Sequence, residues 1–243
     1  MSALRRQLNR WLLNYRYRLE RTHHPQLFAI LLASYLERNQ GRASFLQIGA
    51  NDGVRFDPLH EFINASRYQF RGVLVEPVPR LYAALEQIYA HRPGITPINV
   101  AVHNTHTSAS LFAVREACEA SLPEWVRGIA SFDRQHLNRP ELPADCIEEI
   151  KVPCRSVADI VLAYDLTPLD LLQIDTEGYD AEIIRNLDFS VCQPAIIHFE
   201  HGLPDQVMTD AAFSELRQLL NSHGYQVLTE RYDAIAIRHD VTV

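Results

Sequence analysis

The chain has 243 residues, 47% of them hydrophobic and 22% charged, enough for one α/β domain with modest additions and ordinary for a globular protein. Its net charge of −7 argues against a general nucleic-acid binder, which would usually be basic. No run reaches the roughly 18 apolar residues needed to cross a bilayer, and the N-terminus lacks the apolar segment of a secretory signal, so a cytoplasmic location is the default expectation.

Residues 1–22 hold six arginines (Arg5, Arg6, Arg10, Arg16, Arg18, Arg21) against one acid, Glu20. Leu4, Leu8, Trp11, Leu12, Tyr15 and Leu19 fall on one helical face. Such a helix either touches anionic lipid as a peripheral contact at the inner membrane, or docks on its own domain or on a second subunit of a homodimer. A second helix is expected from Gln26 to about Arg38, ended by Asn39-Gln40-Gly41. Residues 1–40 thus read as an N-terminal helical extension and 41–243 as the main domain.

From there apolar runs and amphipathic segments alternate, the signature of a mostly parallel sheet with crossover helices on both faces. Strands are expected at Ser44–Ile48, Gly72–Glu76, Ile98–Val102, Asp170–Asp175 and Ala195–Phe199. Tyr225–Leu228 and Ala234–Arg238 read as a closing antiparallel pair. The glycine turn Gly49-Ala50-Asn51-Asp52-Gly53 follows the first strand and should open into a helix carrying Phe56, Leu59, Phe62 and Ile63. Further helices are expected around Leu81–Leu85, after Pro77 and Pro79, and at Tyr179–Leu187 and Ala212–His223. The interval 115–149 breaks this rhythm and is too long for a plain connection. It is either a lid or acceptor wall, or a surface excursion packed on itself. The four cysteines (Cys118, Cys146, Cys154, Cys192) show no CxxC or zinc spacing and read as reduced thiols.

Open α/β sheets bind ligands beyond the carboxyl ends of their strands. Those ends carry Gly49–Gly53, Glu76, then Asp175, Glu177 and Gly178, then Glu200 and His201. Glu76, 27 positions after Gly49, can accept both ribose hydroxyls of a nucleoside cofactor. The glycines form G-x-x-x-G, without the middle glycine that lets backbone approach a pyrophosphate. Asp52 would repel a pyrophosphate and suits the amine and sulfonium of S-adenosylmethionine (SAM). Gly49, Asn51, Asp52, Gly53, Glu76 and Asp175 are therefore the expected cofactor-binding residues. His201, whose imidazole titrates near working pH, and then Asp175 are the candidate general bases. Asp175, Glu177 and Glu200 could instead hold Mg²⁺, although no spacing demands a metal.

Phe45–Gly53, Val73–Pro77, Asn99–Val102, Ile174–Gly178 and Ile196–His201 resemble, in order and spacing, the successive motifs of the FkbM family of SAM-dependent methyltransferases. Asp175-Thr176-Glu177-Gly178 is the most specific of them. Gln47 stands where the family often has Asp, and Thr176 where it often has Val. The resemblance implies a Rossmann-like class I methyltransferase with a seven-stranded sheet. It also implies O-methylation of a hydroxyl on a carbohydrate-containing acceptor: a glycolipid, a lipo-oligosaccharide bearing a deoxyhexose, or a polysaccharide. Methylation of a non-sugar secondary metabolite, an NAD(P)-dependent oxidoreductase and a non-catalytic binding module are the alternatives.

Overall fold

The computed structural model describes residues 27–205 and 207–242; the basic segment 1–22 lies outside the described residues. Helix α1 (Leu27–Arg38) buries Phe28, Leu32, Tyr35 and Leu36, an i, i+4, i+7, i+8 stripe. A turn with Gln40 and Gly41 at positive φ ends it. Strand β1 (Arg42–Ile48) is buried along its length apart from Arg42, as expected of a parallel strand covered on both faces.

The expected helix directly after Gly53 is absent. Asn51 and Phe56 both adopt left-handed φ, which breaks any helix, and only His60–Asn64 (α2) is helical. Phe56 is 68% exposed rather than part of the core. Then follow β2 (Gln69–Val75), α3 (Pro79–Tyr89) and β3 (Ile95–Ile98).

The expected single strand Ile98–Val102 is divided. Its second half, β4 (Ala101–Val102), leaves the main sheet for another built from β5 (Ser108–Val114), β6 (Ala130–Ser131) and β7 (Ile147–Arg155). The Asn99 side chain fixes the bend by donating to the carbonyls of Glu76 and Pro77 at 2.8 and 3.0 Å. Helix α4 (Val157–Ala163), opened by a Ser156–Asp159 capping box, returns the chain to β8 (Leu171–Ile174). Helix α5 (Asp180–Arg185), β9 (Ile196–Glu200), α6 (Asp210–Ser222), β10 (Tyr225–Thr229) and β11 (Asp233–Arg238) complete it.

The main sheet has seven strands in the order β10-β11-β9-β8-β1-β2-β3, with only β11 reversed. This is the expected seven-stranded, mostly parallel sheet with helices on both faces. One face, carrying Leu46, Ile48, Leu172, Ile174, Ile197 and Phe199, packs on α4, α5 and α6. The other, carrying Phe45, Leu171 and Ile196, packs on α1, α2 and α3. The strand order reverses between β1 and β8, so a crevice opens above their carboxyl ends.

The interval 115–149 is a compact unit of short 3₁₀ turns around Val114, Leu122, Val126, Ile129, Leu137, Leu142 and Ile147. The expectation of four reduced thiols is corrected here. Cys118 and Cys146, 28 positions apart, form a disulfide, because the β5–β7 hairpin brings their flanks together, with the Arg115 amide donating to the Cys146 carbonyl at 2.8 Å. Cys154 and Cys192 are free and buried. No helix among the described residues is long and apolar enough to cross a membrane.

Candidate active site

The ends of β1 and β8 meet at Gly49. A Cβ built there would lie 1.7 Å from the Asp175 carbonyl oxygen, and its φ of +81° is one that side-chain-bearing residues rarely adopt. The Gly49 and Ala50 amides both donate to the Val75 carbonyl at 3.0 Å. The Asn51 amide donates to Glu76 Oε2, and the Val78 amide to Glu76 Oε1, each at 2.8 Å. Glu76 is 4% exposed. Burial pushes its carboxyl up to about 7, against the two amides and Arg80.

Asp175 follows β8 and, although exposed by surface area, faces into the crevice rather than outward. Desolvation within the crevice, and then the nearby carboxyls of Glu177, Asp180, Glu200 and Asp233, push its pKa well above the usual range. Glu200, ending β9, is raised to about 8, first by burial and then by Glu177, Asp180 and Asp233. Glu177 sits at φ +52° and meets Arg139 Nη2 at 3.0 Å. Burial raises its pKa and the guanidinium opposes the shift.

Sequence reasoning missed Asp180, although an acid in the first turn of a helix is a visible capping signal. Its carboxyl is 1% exposed. Oδ2 accepts from the Thr176 amide and hydroxyl, and Oδ1 from the Glu200 amide at 3.1 Å. One buried side chain thus ties the ends of β8 and β9 together.

A cleft of about 290 Å³ lies over these strand ends. It brings together Gly49, Asn51, Glu76, Asp175, Glu177 and Glu200 with Trp125, Ser131, Phe132 and Arg139 of the 115–149 unit, and with Tyr179. The Phe132 and Tyr179 rings meet edge to face at 4.9 Å, and Arg139 lies 5.7 Å over the Trp125 ring.

Three expected site residues are not among the residues lining this cleft. Asp52 accepts from the Val54 and Arg55 amides at 3.0 and 2.9 Å and pairs with the Arg55 guanidinium. Burial raises its pKa, but these donors outweigh burial and hold it below the ordinary value. Gly53 packs against α3, where a Cβ would lie 2.5 Å from Leu85 Cδ1. His201 is 2% exposed. Its Nδ1 accepts from the Leu203 amide at 3.1 Å and its Nε2 faces the Glu230 carbonyl at 3.2 Å. Both ring nitrogens are thus occupied by backbone, and burial lowers the imidazole pKa. Among the described residues no group of three His, Cys, Asp or Glu side chains is placed to hold a metal ion.

Residues 47–227 match one protein family, described as the methyltransferase FkbM domain. No curated protein matches the chain. Among solved structures, the chain is similar to a fibrillarin pre-rRNA processing protein of Methanococcus jannaschii, at 17% identity over 82% of this chain and 68% of that one, with a TM-score of 0.42. It is also similar to Aeropyrum pernix fibrillarin in complex with natively bound S-adenosyl-L-methionine (14% identity, 84% and 72% coverage, TM-score 0.42). A third is the precorrin-6y C5,15-methyltransferase of Geobacter metallireducens (14% identity, 93% and 95% coverage, TM-score 0.41).

Proposed function

Because this chain belongs to the FkbM methyltransferase family, whose methyl donor is S-adenosylmethionine, we propose that it methylates a hydroxyl oxygen of a carbohydrate-containing acceptor. The residues fit a cationic donor. Six carboxyl-bearing side chains line the cleft (Asp57, Glu76, Glu124, Asp175, Glu177, Glu200) against two guanidiniums, Arg55 and Arg139. Even with several carboxyls protonated, that surround favours a sulfonium and disfavours the pyrophosphate of a dinucleotide.

Glu76, with lone pairs left after its two backbone bonds, would hold the ribose hydroxyls. The Gly49–Asn51 backbone would lie along the methionyl end. When bound, the donor supplies an electrophilic methyl group. The chain's own contribution is alignment, for which effects of roughly 7–11 kcal/mol are known, and a base for the incoming hydroxyl, good for about 10²–10⁴-fold.

Asp175 is the base we assign, with Glu200 beside it. A carboxylate whose pKa is raised by burial and by neighbouring carboxyls is a stronger base than an ordinary one. His201, with both nitrogens engaged, acts as a loop-positioning residue in this reading. Trp125, Phe132 and Tyr179 form the acceptor wall: their faces suit the C–H faces of a sugar ring, while Glu124, Ser131 and Arg139 offer polar partners. The same aromatic faces would also take a flat non-sugar alcohol, which is the second reading.

The observation that carries the proposal is Asp175, opening into an acidic cleft at the switch point of the sheet. Incubation with methyl-labelled donor and a panel of deoxyhexosides, oligosaccharides and phenolic alcohols tests it. Label recovered as a sugar methyl ether supports the reading. Label only on phenols moves it to the second, and folded protein that takes up no donor rejects both.

A further inference from the structure

A second cavity, of about 530 Å³, opens beside the cleft and shares Phe56, Asp57, Pro58, Gln173 and Asp175 with it. On the sheet side it is bordered by Gln173 and His198, which stand in register with Gln47 across β8, β9 and β1. His198 Nδ1 lies 2.5 Å from Gln173 Oε1, and His198 Nε2 and Asp57 Oδ2 are enclosed by protein. An occupant therefore meets the rim of this cavity and not the polar atoms of the sheet.

The rim is apolar in one part and acidic in another. Val54 and Phe56 are 46% and 68% exposed, and Phe56 holds a left-handed φ of +59°. That conformation costs a bulky side chain about 1–3 kcal/mol, and here it sets an aromatic ring in water instead of in the core. Elsewhere on the rim Glu61 and Asp175 are exposed and Asp233 is half-buried. Among the described residues no arginine or lysine borders the cavity. Burial and neighbouring carboxyls hold Asp175 and Asp233 above the usual carboxylate range, so a guanidinium brought here would relieve repulsion as well as gain a partner.

A fitting partner is thus both basic and apolar. Residues 1–22 have that composition: six arginines against one glutamate give them +5 in a chain whose total is −7, and Leu4, Leu8, Trp11, Leu12, Tyr15 and Leu19 accompany the charge. Their point of attachment is also at the cavity. The Leu27 amide, first of α1, donates to Glu230 Oε1 at 2.6 Å, and Ala29 lies in the cavity wall. Only residues 23–26 intervene, a reach of no more than about 18 Å. A partner on so short a tether acts at an effective concentration of the order of millimolar, ahead of a free competitor of similar affinity. An anionic bilayer would be repelled by the same acids.

We propose that this rim is the docking surface for residues 1–22 of the same chain. Their apolar side chains cover Val54 and Phe56, and their arginines meet Glu61, Asp175 and Asp233. Docked there, the segment screens Asp175 from solvent on the side that the 115–149 unit does not reach.

Trp11 and Trp125 are the two tryptophans of the chain, so the full chain carrying Trp125→Phe reports on Trp11 alone. We expect its fluorescence to be blue-shifted and shielded from acrylamide, in the absence of lipid and unchanged on dilution. Val54→Asp and Glu61→Arg, both at exposed positions, should each shift the emission to the red and raise acrylamide quenching several-fold. Ile88→Ser, exposed on α3 and outside the cavity wall, should do neither. Circular dichroism checks that each variant is folded, and Glu61→Arg carries the test alone if Val54→Asp is not. Shielding that survives substitution of the rim places the segment elsewhere and overturns the proposal. Shielding lost on dilution assigns the segment to a second copy and overturns it too. So does a Trp11 that is exposed with the rim intact, whether or not phosphatidylglycerol vesicles then shield it.

Discussion

The Asp175 carbonyl oxygen occupies the space that a side chain at Gly49 would need, 1.7 Å from an ideal Cβ. The first atoms of the proposed donor loop and the proposed base are therefore held by one backbone contact, which cannot relax without moving β1 against β8.

Gly49→Ala should part these two strand ends. A side chain at positive φ costs about 1–3 kcal/mol, and the collision with backbone adds to it. Urea unfolding should show at least that loss, and calorimetric titration should show donor affinity reduced more than tenfold. Unchanged affinity would mean that the contact does not shape the donor loop.

Asp175→Asn and His201→Ala separate two roles. The first should lower turnover about 10²–10⁴-fold with donor affinity changed little. The second removes the partners of the Leu203 amide and Glu230 carbonyl, so it should lower the melting temperature but leave the pH–rate profile in place. A profile lost only in His201→Ala would return the base to the histidine.

Asp180→Ala strips partners from the Thr176 amide and hydroxyl and from the Glu200 amide. Each buried group left unsatisfied costs about 1–3 kcal/mol. Stability and turnover should fall together. Asp180→Asn, which keeps one accepting oxygen, should recover part of both in paired thermal-melt and rate measurements.

The raised carboxyls fix the sign of the pH dependence. Glu76, Glu200 and Asp233 lie at about 7, 8 and 6 in the folded chain, against ordinary values of 4.5, 4.5 and 3.8. Between the ordinary and raised values the folded state holds more protons than the unfolded one, so stability falls as pH rises. The contribution is fully present below about pH 4 and is lost by about pH 8. The melting temperature of the donor-free protein should drop several degrees from pH 5 to pH 8. Donor binding should tighten over the same interval and release protons, because a cation favours the ionised carboxyls. A melting temperature that climbs across this interval would contradict the assignment.

Reducing Cys118–Cys146, or replacing both by Ser, reopens a loop of 28 residues, which chain entropy values at about 3–4 kcal/mol. The loss should appear as a raised KM for the acceptor with donor affinity unchanged, since Gly49 and Glu76, proposed to hold the donor, lie outside that loop.

The main sheet was legible because Phe45–Ile48, Val73–Val75, Leu171–Ile174 and Ile196–Phe199 are apolar runs, with at most one polar residue each, and carry glycine, proline or acid at their carboxyl ends. Glu76 and Asp175 followed from that punctuation. The apolar run Ile98–Val102 looked like one strand because periodicity does not record a change of partner. Phe56 fits an amphipathic helix on paper, and only its left-handed backbone turns it outward. Asp52 was read by its charge, but Arg55, three residues on, captures it. His201 carries the right chemistry, yet its neighbours' backbone groups consume it. Gln47, Gln173 and His198 each read as a lone polar interruption. Their alignment is a property of register between strands distant in sequence, which a linear pattern does not contain.

The stretch between Cys118 and Cys146 is filled by its own apolar side chains, clipped by its own covalent bond and rooted in a hairpin, while the strands that carry Gly49, Glu76 and Asp175 lie elsewhere. It is a cassette. If Trp125, Phe132 and Arg139 form the acceptor wall as proposed, selection can rewrite them without renegotiating the donor side, and grafting that stretch between relatives should alter substrate range.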